Sequence, residues 1–528
     1  MSFSTVAYFL FLIIGIVVYY VIPRKYQWIW LLIMSYGYYF TFDVKTSLFM
    51  VYATVTIYVC GLVLDNIRVK SDTYLKNNKE TLTKEEKKKY KESVKRKKRL
   101  VLTAGVILDF GMLAVMKYTN FAIENLNSII TRLGGEPIAL VKWVLPIGIS
   151  FFTFQAVSYI VDVYQGKYEA QKNPFKLGLF VSFFPQIMQG PIGRYDKLMP
   201  QFLEGRKFNL INVQFGLQRI GWGLAKKMIL ADRAAVVVME VFQHYEMYSG
   251  LHYILGVLMY TIQLYMDFSG GIDIVIGSAE MFGITMDENF RQPFFSKSIG
   301  EFWRRWHISL GAWMKDYIFY PMSLSKAMNK FGKWGKKHIG NTVGKTLPIC
   351  FANMVIFFIV GIWHGPAWKF IIYGIYNGFI IAVSNLLEPV YKKGLEKCHI
   401  NGDGKAWTAF KVFRTFVLVV IGFYFDMSNS VSQALCMIKW SIIGIRPTQF
   451  NLRDTLAIGL DVKDYVIILM GCIVILIVSI MKEKGIKVRE ALAKKPLPVR
   501  WLVYYGIVVL ILLFSYPGAT QGFLYANF

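Results

Sequence analysis

The chain has 528 residues, of which 55% are hydrophobic, 16% aromatic and only 18% charged. Soluble domains carry about one-quarter charged residues and do not repeat long apolar runs, so a string of soluble modules is excluded in favour of one polytopic, all-α membrane domain over 1–528. The formal net charge is +27, from 60 Lys+Arg against 33 Asp+Glu, but the basic residues collect between apolar segments, as in loops held inside an anionic bilayer, which speaks against nucleic acid as the partner.

The first apolar run, 5–22, has no basic residue before it and Arg24-Lys25 after it. A secretory signal carries its charge in front, so this run is expected to stay in the protein with its N-terminus outside. Runs 27–42 and 46–64 read as the next crossings and end in a lysine-rich stretch, 68–99. Three crossings from an outside start place that basic loop in the cytoplasm, where its charge belongs. Residues 100–116 read as a crossing outward and 141–161 as the return. Residues 175–190 are apolar but carry Pro185 and run into Gly190-Pro-Ile-Gly-Arg-Tyr195, which suits a re-entrant or broken helix. Residues 213–241 are less apolar and contain Arg219, Lys226, Lys227 and Arg233. Two apolar segments, 251–268 and 272–282, are expected on either side of a Ser-Gly-Gly turn flanked by Asp267 and Asp273; these carboxylates read as a cap or a proton relay.

Residues 323–345 hold six lysines and no acidic residue, which predicts a second cytoplasmic loop. From there 347–363 crosses outward, 370–387 returns to a basic loop around Lys392 and Lys397, 412–425 leaves, and 465–481 comes back. A last crossing, 501–516, leaves the uncharged tail 518–528 outside, provided that 431–443 does not span. About eleven transmembrane helices result, at roughly 20 residues each, with re-entrant and interfacial helices besides. The five cysteines (Cys60, Cys350, Cys398, Cys436 and Cys472) form no C-x-x-C pair and lie mostly in or beside apolar runs, so they read as packing residues rather than disulfides or metal ligands.

Two of the six histidines stand out. His307 follows Phe302-Trp303-Arg304-Arg305-Trp306, and His364 ends an apolar run before Gly365-Pro366. If 301–317 is one helix, Trp303, Trp306, Leu310, Trp313 and Tyr317 share a face, as in an interfacial helix with tryptophans in the headgroup belt. Headgroup anchoring needs no imidazole, however. His364 sits where a broken helix end would have to be buried in protein or line a wet cavity. It is either a capped structural residue or a general base kept neutral by Trp363 and Trp368. The sequence holds no G-x-S-x-G, no H-E-x-x-H and no phosphate loop.

The run Phe302-Trp-Arg-Arg-Trp-His-Ile-Ser-Leu310, with Asp267-Phe-Ser-Gly270, Glu288-Asn-Phe-Arg-Gln-Pro293, Gly190-Pro-Ile-Gly-Arg-Tyr195 and Gly361-Ile-Trp-His-Gly365, closely resembles the membrane-bound O-acyltransferases (the MBOAT superfamily). The resemblance is strongest over 183–378. It is greatest to the bacterial envelope branch, which includes alginate O-acetyltransferase membrane subunits and teichoic acid D-alanyl transfer proteins. It implies a ring of tilted helices around a thinned central funnel, with His364 catalytic and His307 its partner. Trp303, Arg304, Arg305, Trp306 and Trp363 are then expected at the substrates, with Asp267, Ser269, Asn289 and Asp316 in support. No bound cofactor or metal is expected. The donor would be a cytosolic thioester, acetyl-CoA or an acyl carrier protein, and the acceptor an envelope glycan reached directly or through an extracytoplasmic esterase-like partner. The rivals are D-alanyl transfer to teichoic acid, a transporter or flippase with proton-relay histidines, and a scaffold. Of the transporter's marks, neither repeated half-domains nor paired intramembrane carboxylates are seen in the sequence.

Overall fold

A computed structural model describes residues 2–445, 456, 458–517 and 522–524. Among these residues there is no β-strand; the regular structure is helical, with one isolated bridge between Phe290 and Trp306. The chain forms two compact units, one made of residues up to 213 with 278–286, the other of 214–277 and the described residues from 287 on.

In the first unit the helices are α1 (Val6–Val21), α2 (Gln27–Phe40), α3 (Ser47–Asn77), α4 (Lys84–Arg132), α5 (Ile149–Gln165), α6 (Pro174–Ser182) and α7 (Tyr195–Leu203). Next come α8 (Leu210–Leu224), α9 (Asp232–Gln243), α10 (Leu251–Met281), α11 (Ile299–Arg305), α12 (Ile308–Met314), α13 (Tyr320–Ser323) and α14 (Lys326–His338). The chain continues with α15 (Asn341–His364), α16 (Trp368–Lys397), α17 (Lys405–Met427), α18 (Val431–Ile443), α19 (Val462–Glu483), α20 (Val488–Ala493) and α21 (Leu497–Phe514). Among the described residues, seven helices are long and apolar enough to cross a membrane: α3, α4, α15, α16, α17, α19 and α21. The protein is therefore a multi-pass membrane protein. The sequence-based count of eleven is larger because it includes shorter helices such as α1 and α2, of 16 and 14 residues; the 13-residue α18 is not among the eleven.

Four expectations are corrected, each for a physical reason. Residues 141–161 do not form one crossing. Chain 135–148 is irregular, and α5 starts only at Ile149, after Pro146 and a left-handed Gly148 (φ 71°). Two asparagines on α4 take up the irregular backbone. Asn120 bonds both N–H and C=O of Val141 (2.9 Å each), and Asn127 does the same at Ile138 (2.7 and 2.8 Å). The backbone's polar groups thus have partners without forming a helix.

The stretch 68–99 is not a loop but the end of α3 and the start of α4. A capping box of Thr83 and Glu86 begins α4, and Tyr74 packs on Tyr90 at 4.4 Å. The second basic stretch, 323–345, is likewise largely helical, as α14 and the start of α15.

The expected turn at Ser269-Gly-Gly is the interior of one 31-residue helix, α10. Its glycines serve close packing instead. A Cβ on Gly270 would stand 2.8 Å from the Gly223 carbonyl oxygen, and one on Gly277 2.6 Å from that of Gly216. Helices α8 and α10 touch backbone to backbone, as small residues allow in membranes.

That approach, with a π-helical turn at Ala225–Ala231, turns the basic residues of 213–241 inward. Lys226 pairs with Asp273 (2.5 Å) and donates to Ser269 (2.9 Å). Lys227 pairs with Asp267 (2.6 Å) and Asp232 (2.8 Å), and Arg219 bridges Asp273 and Glu288. Asp267 and Asp273 are thus halves of buried ion pairs rather than caps of a turn. The tail expected at 518–528 lies outside the described residues except for 522–524, where the Leu524 N–H donates to Asp267 (2.9 Å).

Removing one member of a buried pair leaves the other charged and unpaired. Lys227→Met is expected to destabilise the protein by about 3–5 kcal/mol, and the double variant Lys227→Met/Asp267→Asn by clearly less, measured as detergent-solubilised unfolding midpoints.

Candidate active site

Helix α15 packs against α16 at glycine contacts. A Cβ on Gly361 would lie 2.5 Å from the Phe370 carbonyl oxygen, and one on Gly374 2.2 Å from that of Phe357. α15 ends at His364, as Gly365-Pro366 predicts, and α16 starts at Trp368. His364 is therefore the last residue of a candidate span. It is buried, with ring contacts to Trp363 (5.1 Å), Tyr373 (5.4 Å) and Phe370 (6.0 Å).

The last turn of α17 brings Asp426 to it, with His364 Nδ1 3.5 Å from Asp426 Oδ1. The other carboxylate oxygen accepts from the Tyr260 hydroxyl (2.7 Å), and Lys369 donates to the Asp426 carbonyl (3.1 Å). The 3.5 Å contact is an ion-pair separation rather than a formed hydrogen bond, as is common before substrate tightens a site. An Nδ1–H directed at Asp426 leaves Nε2 as the basic nitrogen.

His307 does not sit within one amphipathic helix. The helix expected over 301–317 breaks into α11 and α12, and His307 between them adopts a left-handed conformation (φ 47°, ψ 54°). Segment 287–292 imposes this break. Phe290 bridges to Trp306, Arg291 N–H donates to Arg305 O (2.9 Å), and Ile308 N–H donates to Asn289 O (3.0 Å).

Asn289 is fully buried, and its side-chain oxygen accepts from Ser309 N–H (2.9 Å) and Ser309 Oγ (3.0 Å), with His307 Nδ1 at 3.3 Å. An amide oxygen only accepts, so Nδ1 of His307 carries the proton. Around the ring stand Phe268 (5.0 Å) and Trp363 (5.5 Å). The two histidines, distant in sequence, thus flank one indole, that of Trp363.

The other expected site residues divide. Trp303 donates to Asn377 (3.0 Å) and packs on Phe357, and Trp306 is buried among Phe290, Phe302 and Phe423. Both build the wall behind the histidines. Arg305 is committed to Glu301 (2.9 Å) and Glu483, whereas Arg304 is exposed. Asp267 and Ser269 hold lysines of the buried charge network, and Asp316 is exposed on the π-turn Lys315–Phe319. Sequence reasoning missed Asp426, Tyr260, Lys369 and Tyr373. The one available signal was an aspartate at the end of an apolar run, Gly422-Phe-Tyr-Phe-Asp426. Among the described residues, no group of three or more His, Cys, Asp or Glu is placed to hold a metal ion.

His307 lies outside the seven candidate spans. Burial, and secondarily the neighbouring His364, pushes its pKa from 6.5 down to about 3. The folded site refuses a proton that the unfolded chain accepts. Stability from this group is thus complete above about pH 6.5 and falls as pH drops towards 3. His307→Gln is expected to make that acid loss shallower in pH-dependent unfolding. Asn289→Ala, which strips the acceptor from Ser309 and His307, is expected to cost about 1–3 kcal/mol in the same measurement.

The family model described as MBOAT, membrane-bound O-acyltransferase family, matches residues 171–425. The chain is 35% identical to the "probable alginate O-acetylase AlgI" of Azotobacter vinelandii over 73% of this chain and 68% of that protein. It is 32% identical to the peptidoglycan O-acetyltransferase of Helicobacter pylori over 65% of this chain and 64% of the relative. To the teichoic acid D-alanyltransferase of Bacillus subtilis it is 30% identical over 53% of this chain and 66% of the relative. Two buried histidines on either side of one indole, the matching family model and these relatives lead to one conclusion: the chain belongs to the membrane-bound O-acyltransferase family and is an O-acyltransferase.

Proposed function

We propose that this O-acyltransferase moves an acetyl group from a cytosolic thioester, acetyl-CoA or an acyl carrier protein, to a polysaccharide of the bacterial cell envelope. It would do so in the plasma membrane with its N-terminus outside, either directly or through an extracytoplasmic esterase-like partner. The observation that carries the reading is His364, buried at the broken end of α15 with Asp426 at its Nδ1 and His307 across Trp363. The acetyl group is favoured over D-alanine because the alginate-type relative is matched over more of this chain, at higher identity, than the D-alanyl type.

In the proposed step, Nε2 of His364 takes the proton of the acceptor hydroxyl as its oxygen attacks the thioester carbonyl. The C–O bond forms and the C–S bond breaks. The departing sulfur takes the proton back from the imidazolium, and the base is restored. Asp426 orients the ring and stabilises the transient imidazolium, and Tyr260 holds the carboxylate. His307, neutral and fixed by Asn289, supports the chamber without competing for the proton. The aromatic walls exclude water that would otherwise hydrolyse the thioester.

The test uses membrane vesicles with labelled acetyl-CoA on the cytoplasmic side. Wild type should label an acceptor on the outer face, and His364→Ala should not, at equal protein level. Equal labelling in both would remove His364 from the mechanism, and no labelling in wild type would reject acetyl-CoA as the donor. In the same assay Asp426→Asn is expected to lower kcat by about 10²–10⁴-fold with a smaller change in KM, as expected when a ring-orienting carboxylate becomes an amide.

A further inference from the structure

The hairpin formed by the end of α3 and the start of α4 has no part in the chemistry above. Residues 66–99 carry 14 Lys+Arg against 5 Asp+Glu. They are not a solvated loop: α3 and α4 run into this region as unbroken helices, closed by the Thr83–Glu86 capping box and the Tyr74–Tyr90 stack. The apolar run of α4 begins only at Leu100. There α5 stops at Gln165, Lys98 donates to the Tyr164 carbonyl (2.9 Å), and Arg68 bridges Asp65 and Glu169.

From Lys98 to Lys84 the helix rises about 21 Å, at about 1.5 Å per residue. The headgroup layer is only about 5–7 Å thick on each side. Along the helix axis Lys84 is thus further from the start of the apolar run than the headgroup layer and a screening length of about 8 Å at physiological salt together. Lys97, Lys98 and Arg99, beside that run, are the basic residues best placed for lipid; the distal lysines are the ones best placed for a soluble partner.

The distal lysines are also ordered. Lys84, Lys87, Lys88, Lys91 and Lys95 line one shallow groove with Glu92, at spacings of three and four that put them on one helix face. None of these five has an ion-pair partner among the described residues. Like charges at such spacings repel and weaken the helix that carries them. Clustered on a rigid stalk, they present a positive row about 16 Å long, at about 1.5 Å per residue.

We propose that this lysine stripe is a docking surface for an acidic soluble protein that presents carboxylates along one helix at matching spacing. The stalk holds that partner at the membrane surface, clear of the lipid. The inference does not depend on which thioester is the donor, nor on the role of His364.

Amine-reactive footprinting read by mass spectrometry tests it on the full-length protein in nanodiscs. The probe is a helical peptide with glutamates at every fourth position, against a scrambled peptide of equal composition. The patterned peptide should protect Lys84, Lys88, Lys91 and Lys95 but not Lys89 or Lys97, which point elsewhere. Changing zwitterionic for anionic lipid, without peptide, should leave the stripe reactive.

Affinity measured by anisotropy should fall about tenfold in Lys88/Lys91/Lys95→Gln and no more than about twofold in Lys89/Arg96/Lys97→Gln, which removes the same charge from other faces. Absence of protection, equal protection by both peptides, equal weakening in both variants, or protection by anionic lipid alone would each overturn the proposal. The last result would assign the stripe to the membrane.

Discussion

Every polar group that this chain takes out of water must find its partner inside the protein, because lipid offers none. That constraint organises the second unit. Lys226 and Lys227, consecutive in sequence and both buried, reach two different aspartates of α10, and glycine contacts bring α8 close enough for them to do so. The π-helical turn that carries the lysines widens the helix just where both side chains must point inward. Asp267 and Asp273 lie on the same helix, α10, as Phe268, which forms one wall of the His307 chamber. The charge network and the chamber therefore share one helix.

The same constraint explains the irregular segments. The backbone at Val141 and Ile138 is satisfied by asparagines of α4, and the turn at His307 by Asn289 and the backbone of 289–291. A left-handed residue other than glycine costs energy and persists only where its surroundings over-determine it. At His307 the hydrogen bonds made by Asn289 and Arg291 do so. The result is an imidazole held in one tautomer and one orientation.

Chemistry at the site follows from contrast. His307 is walled by aromatic rings and resists protonation, whereas His364 faces the carboxylate of Asp426. Two identical side chains near one indole are thereby given different surroundings. The glycines of α15 and α16 set the distance at which His364 meets Phe370 and Tyr373, so the site rests on residues with no side chain as much as on those with one.

Composition and apolar runs were enough to establish a multi-pass helical membrane protein. The histidine motifs with their flanking residues were enough to establish the family, and Gly365-Pro366 the end of α15. These features are local, or depend only on composition. Whether a stretch crosses, breaks or pairs was decided by neighbours far along the chain. The Ser-Gly-Gly of α10 reads as a turn until α8 is seen to need its glycines for contact. Residues 301–317 read as one helix until the 287–292 segment claims its backbone. Asp426 is one of many aspartates until α17 sets it beside His364. Hydrogen bonds and ion pairs between distant segments carry no period and no motif, so only the tertiary structure could assign them.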